Sequence, residues 1–179
     1  GSARSIPKFD LHASIQEHRH LILGGGGHKA AGGITLVMDQ IDPFRLAVNE
    51  YANGLLTDED LVPTRIADSP IAGIEADLAA ARDLSRLEPF GIGNPEPLFI
   101  SERVELASIT PTRNPEHVRL SIRSSDGSSR NAIAFSMGER ISSFQVGPLA
   151  DVLFRLEENH YNGSSTVQWT VQDIASAKT

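Results

Sequence analysis

The sequence predicts a mixed α+β chain, a small α/β segment followed by a closed β-barrel, and three observations carry that prediction. Apolar residues recur at helical spacing through the first half, and after Leu98 the period switches to two. Asp126-Gly127 and Asn162-Gly163 then supply hairpin turns in the second half. With 40% hydrophobic and 22% charged residues, the 179-residue chain has an ordinary globular composition. It is long enough to bury roughly 70% of its unfolded surface, so its core needs no cross-links.

Asp10 is positioned as an N-cap, with Leu11, Ile15, His18 and Ile22 following at helical spacing. Four glycines, Gly24 to Gly27, must end that helix and are read as a loop. Ile34 to Met38 reads as a short strand apolar on both faces. Asp42-Pro43 then opens a second helix, with Phe44, Ala47, Val48, Tyr51 and Leu55 on one face and Gly54 near its stop.

A boundary is expected over residues 57–63, where Asp58-Glu59-Asp60 approaches Pro63. Beyond it the spacing predicts a helix over about 74–87, with Ile74, Leu78, Ala81, Leu84 and Leu87 on one stripe. It ends before Pro89, and residues 88–97 form a stiff loop rich in proline and glycine. Val118, Leu120 and Ile122 alternate with polar neighbours, and Asn131 to Phe135 is the partner strand. Residues 137–144 suggest a short helix. Val152, Phe154 and Leu156, then Val167, Trp169 and Val171, complete the alternation. About five strands in such a short span fit an OB-fold barrel.

The chain has no cysteine, which excludes disulfides, thiolate metal sites and a cysteine nucleophile. No apolar run approaches the ~20 residues of a membrane span, and no signal-peptide core opens the chain. A soluble cytoplasmic protein is expected. The net charge of −7 argues on its face against nucleic acid, but residues 50–100 alone hold three basic and ten acidic side chains. The flanking stretches can therefore still present basic surfaces.

Two groups of residues carry candidate chemistry. In the run from Gly24 to Gly33, successive glycines can turn backbone N–H groups toward an anion, with His28 and Lys29 as further donors. A flexible turn is the plainer alternative, and the run matches neither a P-loop nor a dinucleotide fingerprint. In the barrel, His117, Arg119 and Arg123 share one strand face, with Arg103, Arg113 and Arg130 in neighbouring segments. Such a set can neutralise phosphates along a single strand, or simply form a solvated outer face. Tyr161, beside the second hairpin turn, is the candidate for base stacking. Trp169 is in register with Val167 and Val171, so it is assigned to the core.

The glycine–histidine run, the opening Gly1-Ser2-Ala3-Arg4-Ser5-Ile6-Pro7 and the following Phe9-Asp10-Leu11-His12-Ala13 resemble the DHH-associated domain of phosphoesterases, in the form found in the RecJ family of single-strand-specific 5′→3′ exonucleases. The likeness continues through Leu87-Glu88-Pro89-Phe90-Gly91-Ile92-Gly93-Asn94-Pro95-Glu96-Pro97, Asn131 to Phe135, Tyr161-Asn162-Gly163 and Val171 to Ile174. It spans nearly the whole chain.

The resemblance implies that residues 1–62 are the C-terminal part of a DHH-associated, substrate-binding domain and residues 63–179 an OB-fold domain. It implies that Ser2, Arg4, Ser5, Gly25, Gly26, Gly27, His28 and Lys29 hold substrate phosphate. Nucleic acid is expected along Arg113, His117, Arg119, Arg123 and Tyr161. The family's Asp-His-His motif and its manganese or magnesium site lie in a preceding catalytic domain, and this sequence contains no Asp-His-His. His18 and His20 are read as solvent-facing or helix-end residues rather than ligands.

The expectation is therefore a C-terminal fragment of a hydrolase. It would bind single-stranded DNA, carry no cofactor or catalytic residue of its own and be inactive alone. Its partners would be the catalytic domain and other repair proteins, with no membrane contact. The alternatives are a small-RNA or dinucleotide phosphodiesterase sharing the glycine–histidine run, and an OB-type protein-interaction module, which the acidic centre favours.

Overall fold

A computed structural model describes residues 1–177, which divide into two compact units, Gly1–Arg65 and Ile66 onward.

The first unit is a three-stranded antiparallel sheet with two helices. Strand β1 (Ser2–Arg4) is followed by helix α1 (Leu11–Glu17), strands β2 (Gly24–Gly27) and β3 (Ala31–Thr35), and helix α2 (Ile41–Asn53). The strand order is β1-β3-β2. Asp10 caps α1 as expected, its carboxylate accepting the Ala13 N–H at 3.0 Å. The helix stops at Glu17, short of Ile22. His18 ends it and is buried, not solvent-facing, with its Nδ1–H donating to the Ser14 carbonyl at 2.8 Å and its ring edge-on to Tyr51. The small core joins Phe9, Leu11 and Ile15 to Ile34, Val48 and Tyr51.

Three expectations for this unit are corrected. The glycine run is a strand, not a loop. Gly25 has φ +141°, and at Gly27 a side chain would collide with the Ala31 carbonyl, so β2 approaches β3 more closely than other residues allow. The strand expected over 34–38 starts earlier, at Ala31, and Met38 lies exposed in a 3-10 turn. That turn runs straight into α2, so Asp42 and Pro43 sit inside the first helical turn instead of capping it.

The second unit is a closed five-stranded barrel of OB type. A two-residue strand β4 (Ser69–Pro70) and helix α3 (Leu78–Ser85) precede β5 (Phe99–Pro111), β6 (Val118–Arg123), β7 (Ser129–Ala134), helix α4 (Gly138–Ile141), β8 (Leu149–Tyr161) and β9 (Ser164–Ser176). The ring runs β5-β6-β7-β9-β8 and closes by antiparallel pairing of β8 with β5, while β7 and β9 are parallel. Alternation sends Leu120, Ile122, Ala132, Ala134, Val152, Leu156 and Val171 inward, each less than a tenth exposed. Trp169 is fully buried and lies flat on Phe154, with ring centroids 3.7 Å apart. Asn162 and Gly163 turn the β8–β9 hairpin with φ of 48° and 77°, the left-handed pair that Asn-Gly favours.

The helix expected over 74–87 is shorter. Asp77 caps α3 by accepting the Ala80 N–H at 2.9 Å. Ile74 N–H instead donates to Asp126 at 2.9 Å, which holds residues 74–77 as a turn against the β6–β7 connection and leaves Ile74 exposed. Residues 88–97 carry no strand or helix. Asn94 ties that loop by donating to the carbonyls of Leu87 and Pro89 at 2.7 and 3.1 Å.

Candidate nucleic-acid interface

A groove of about 980 Å³ crosses the outer face of β6 and β7 and runs to the β8–β9 hairpin. Its side chains come from three sources. The β5–β6 connection and the start of β6 supply Thr112, His117 and Arg119; β7 and the residue after it supply Asn131 and Phe135; the hairpin supplies Asn159, Tyr161 and Asn162. Period-two alternation explains the choice on β6, since His117 and Arg119 point outward while Val118 and Leu120 are buried.

His117 is fixed in place. Its Nδ1 accepts the Ser136 N–H at 3.0 Å, which leaves the ring proton on Nε2, and its edge meets Phe135 at 5.3 Å and 78°. Phe135 is 52% exposed and Tyr161 72% exposed, so both rings offer surface to the groove. Glu158, on the hairpin, is paired with Arg82 at 2.8 Å. Hydrogen bonds from Arg82 hold its carboxyl down to about 2.

The structure separates the arginines that the sequence grouped. Arg119 faces the groove. Arg123 is on the same strand face but sits 3.4 Å from Glu105, in a different depression lined also by Glu102, Arg103 and Leu149. Arg130 is turned away, donating to the carbonyls of Ala76 at 3.0 Å and Ile74 at 3.3 Å. Arg113 is exposed on the β5–β6 connection, next to the groove residue Thr112. Arg103, at φ 52°, has its backbone N–H bound by Asp151 at 2.9 Å.

The sequence reading missed Phe135 and the amides Asn131, Asn159, Asn162 and Gln168. Phe135 was legible in phase: it falls with Asn131, on the opposite face from the inward Ala132 and Ala134.

In the first unit the two halves of the expected phosphate site meet across β3. Ser2 and Gly26 both pair with Gly33, from opposite sides. Arg4 pairs with Ala31, and His28 N–H donates to the Ala31 carbonyl at 2.8 Å. Strand alternation puts Ser2, Arg4 and His28 on one face, and all three are exposed. Lys29 is exposed at the β2–β3 turn. Ser5 serves a local role, its hydroxyl donating to the Phe9 carbonyl at 2.6 Å. Gly25, Gly26 and Gly27 are laddered strand residues, not a nest of converging N–H groups. Arg19, which the sequence did not single out, donates to the Gly25 carbonyl at 2.7 Å. His20 is exposed in the 3-10 turn after α1.

Among the described residues no three His, Asp or Glu side chains gather as ligands for a metal ion. No helix among them is long and apolar enough to cross a membrane.

The RecJ OB domain family matches residues 67–173. The single-stranded-DNA-specific exonuclease RecJ of Bacillus subtilis is 30% identical over 177 residues, which cover 98% of this chain and 22% of that protein. Its counterpart from Haemophilus influenzae is 26% identical over 179 residues, covering 97% of this chain and 31% of its own length. The crystal structure of Thermus thermophilus RecJ with Mg²⁺ aligns over 100% of this chain and 27% of that one, with a TM-score of 0.77 and 25% identity. This chain thus spans between about a fifth and a third of the length of these relatives.

Proposed function

From the premise that this chain belongs to the RecJ OB domain family, we propose that it is the DNA-handling C-terminal part of a metal-dependent 5′→3′ single-stranded-DNA exonuclease of DNA repair and recombination. The barrel groove guides the strand. The first unit, as part of a DHH-associated domain, holds substrate phosphate through Ser2, Arg4, His28 and Lys29 beside the glycine strand. Arginine suits that task because its planar fork can meet two phosphate oxygens.

The observation that supports the reading best is the position of the groove. It lies on the second and third barrel strands, between the β5–β6 and β8–β9 connections, which is the surface OB-folds use for oligonucleotides. Its two exposed rings and one guanidinium are the groups that engage bases and backbone of a single strand.

The residues described here do not fit the manganese or magnesium site of such an enzyme. In this proposal the metal, which activates water for phosphodiester hydrolysis, is held by a preceding domain. The 179-residue chain is accordingly inactive alone, and its partners are single-stranded DNA and that catalytic domain.

Fluorescence anisotropy of a labelled strand of about 20 nucleotides tests the binding role. The expected result is tighter binding of the single strand than of duplex, weakened by Y161A. Equal binding of both, or none, overturns it. Unchanged binding after charge reversal at Arg119 would move the barrel toward recognition of a protein. Manganese-dependent release of nucleotides by the purified chain would overturn its inactivity.

A further inference from the structure

We propose that the barrel groove grips a single strand chiefly by its bases, through ring faces and amide edges, and only weakly by its phosphates. This rests on the function proposed above and names what that site recognises. Arg119 is the one permanently charged side chain lining the groove among the described residues, and no carboxylate lines it. Of the other arginines that could have followed the backbone, Arg123 lies against Glu105 and Arg130 donates to two main-chain carbonyls, while Arg113, exposed on the β5–β6 connection, is not among the residues that line the groove.

What the groove does present is amide. Asn131, Asn159, Asn162 and Gln168 all line it, and none of the four side chains makes a hydrogen bond to a described residue. Asn49, Asn94 and Asn114, by contrast, use their amides within the protein. A free carboxamide offers a donor and an acceptor side by side, the pairing that matches the edge of a nucleobase. Asn131 and Gln168 each precede the paired Ala132 and Trp169 by one residue on the parallel strands β7 and β9, so they stand on neighbouring strands. Phe135 and Tyr161 add faces for stacking.

Such a groove selects single strands for a reason other than charge. In a duplex the base faces are stacked and the Watson–Crick edges paired, so the rings find no faces and the amides are left only the groove edges. A phosphate-tracking groove would instead hold a strand whose bases are missing as firmly as an intact one.

The test compares an intact strand of about 20 nucleotides with an abasic strand of equal phosphate count, each titrated with the 179-residue chain between about 50 and 200 mM salt. Intact strand is expected to bind at least about tenfold tighter than abasic strand, the loss of a single stacked base being enough for that. The slope of log affinity on log salt is expected near −0.7 to −1.4, for one or two phosphates. N131A with Q168A should lower affinity for the intact strand without changing the slope. Equal binding of the two strands with a slope steeper than about −3 leaves the single-strand function standing and overturns this proposal alone. No binding of either strand overturns that function and this proposal with it.

Discussion

His117 meets Phe135 edge-on at 5.3 Å, and the same imidazole accepts the Ser136 N–H through Nδ1 at 3.0 Å. One ring therefore pins both the exposed phenyl face and the backbone turn that follows β7, where Ser136 adopts φ 54°. H117A removes both contacts. Stability is expected to fall by about 1 kcal/mol, the usual net worth of one such hydrogen bond. Affinity for a single strand should fall about three- to tenfold as Phe135 loses its fixed orientation. Thermal unfolding and anisotropy on one preparation check the two effects separately.

The arginines should divide by position rather than by number. R119A is expected to weaken single-strand binding, while R123A and R130A leave it within twofold or so, because neither side chain reaches the groove. R130A should instead cost about 1–3 kcal/mol of barrel stability by stripping its donors from the Ala76 and Ile74 carbonyls. Urea unfolding followed by Trp169 fluorescence reads the second effect.

Acid should loosen each unit through its hydrogen-bonded carboxylates. Hydrogen bonding to Lys8 holds Asp60 down to about 2, and hydrogen bonding to Arg82 does the same for Glu158. A carboxyl whose folded pKa is depressed stabilises the fold above its ordinary value near 4 and loses that contribution as pH falls toward 2. Unfolding midpoints measured at pH 5, 4 and 3 should decline for the native chain. E158Q, which cannot titrate, should show a shallower decline in the barrel transition.

The glycine strand makes a position-specific prediction. G27A places a methyl against the Ala31 carbonyl and Gly32 backbone, whereas at Gly26 an added methyl meets nothing within 4 Å. G27A is expected to destabilise the first unit by several kcal/mol, and G26A by less than about 1 kcal/mol. Hydrogen exchange of the β3 amides distinguishes them. Equal protection in both variants would contradict the geometry.

The barrel was largely legible because its signals are local. Alternation marked the strand cores, Asn162-Gly163 marked the hairpin, and the register of Trp169 placed it inside, where it stacks on Phe154 at 3.7 Å. The glycine strand was not legible, because residues without side chains carry no periodicity and β2 is held by the backbone of β3. The long β5 was not delimited, since its register shifts between Ser101 and Val104 and again between Leu106 and Ser108 interrupt the alternation. For the site, alternation put His117, Arg119 and Arg123 on one face but could not say how far the groove extends along it. Nor could it foresee that the turn at residues 74–77 captures Arg130. That depends on contacts more than fifty residues apart in sequence.

The β6–β7 face and the β8–β9 hairpin together are the proposed single-strand site. Amide-shift mapping of the isotope-labelled 179-residue chain, titrated with a single strand of about 20 nucleotides, tests it most directly. Shifts are expected to concentrate at Arg119, Asn131, Phe135, Tyr161 and Asn162, with Arg123 and Arg130 unmoved. Shifts centred on Arg123 and Glu105, or on the loop at residues 88–97, with the groove silent, would contradict it.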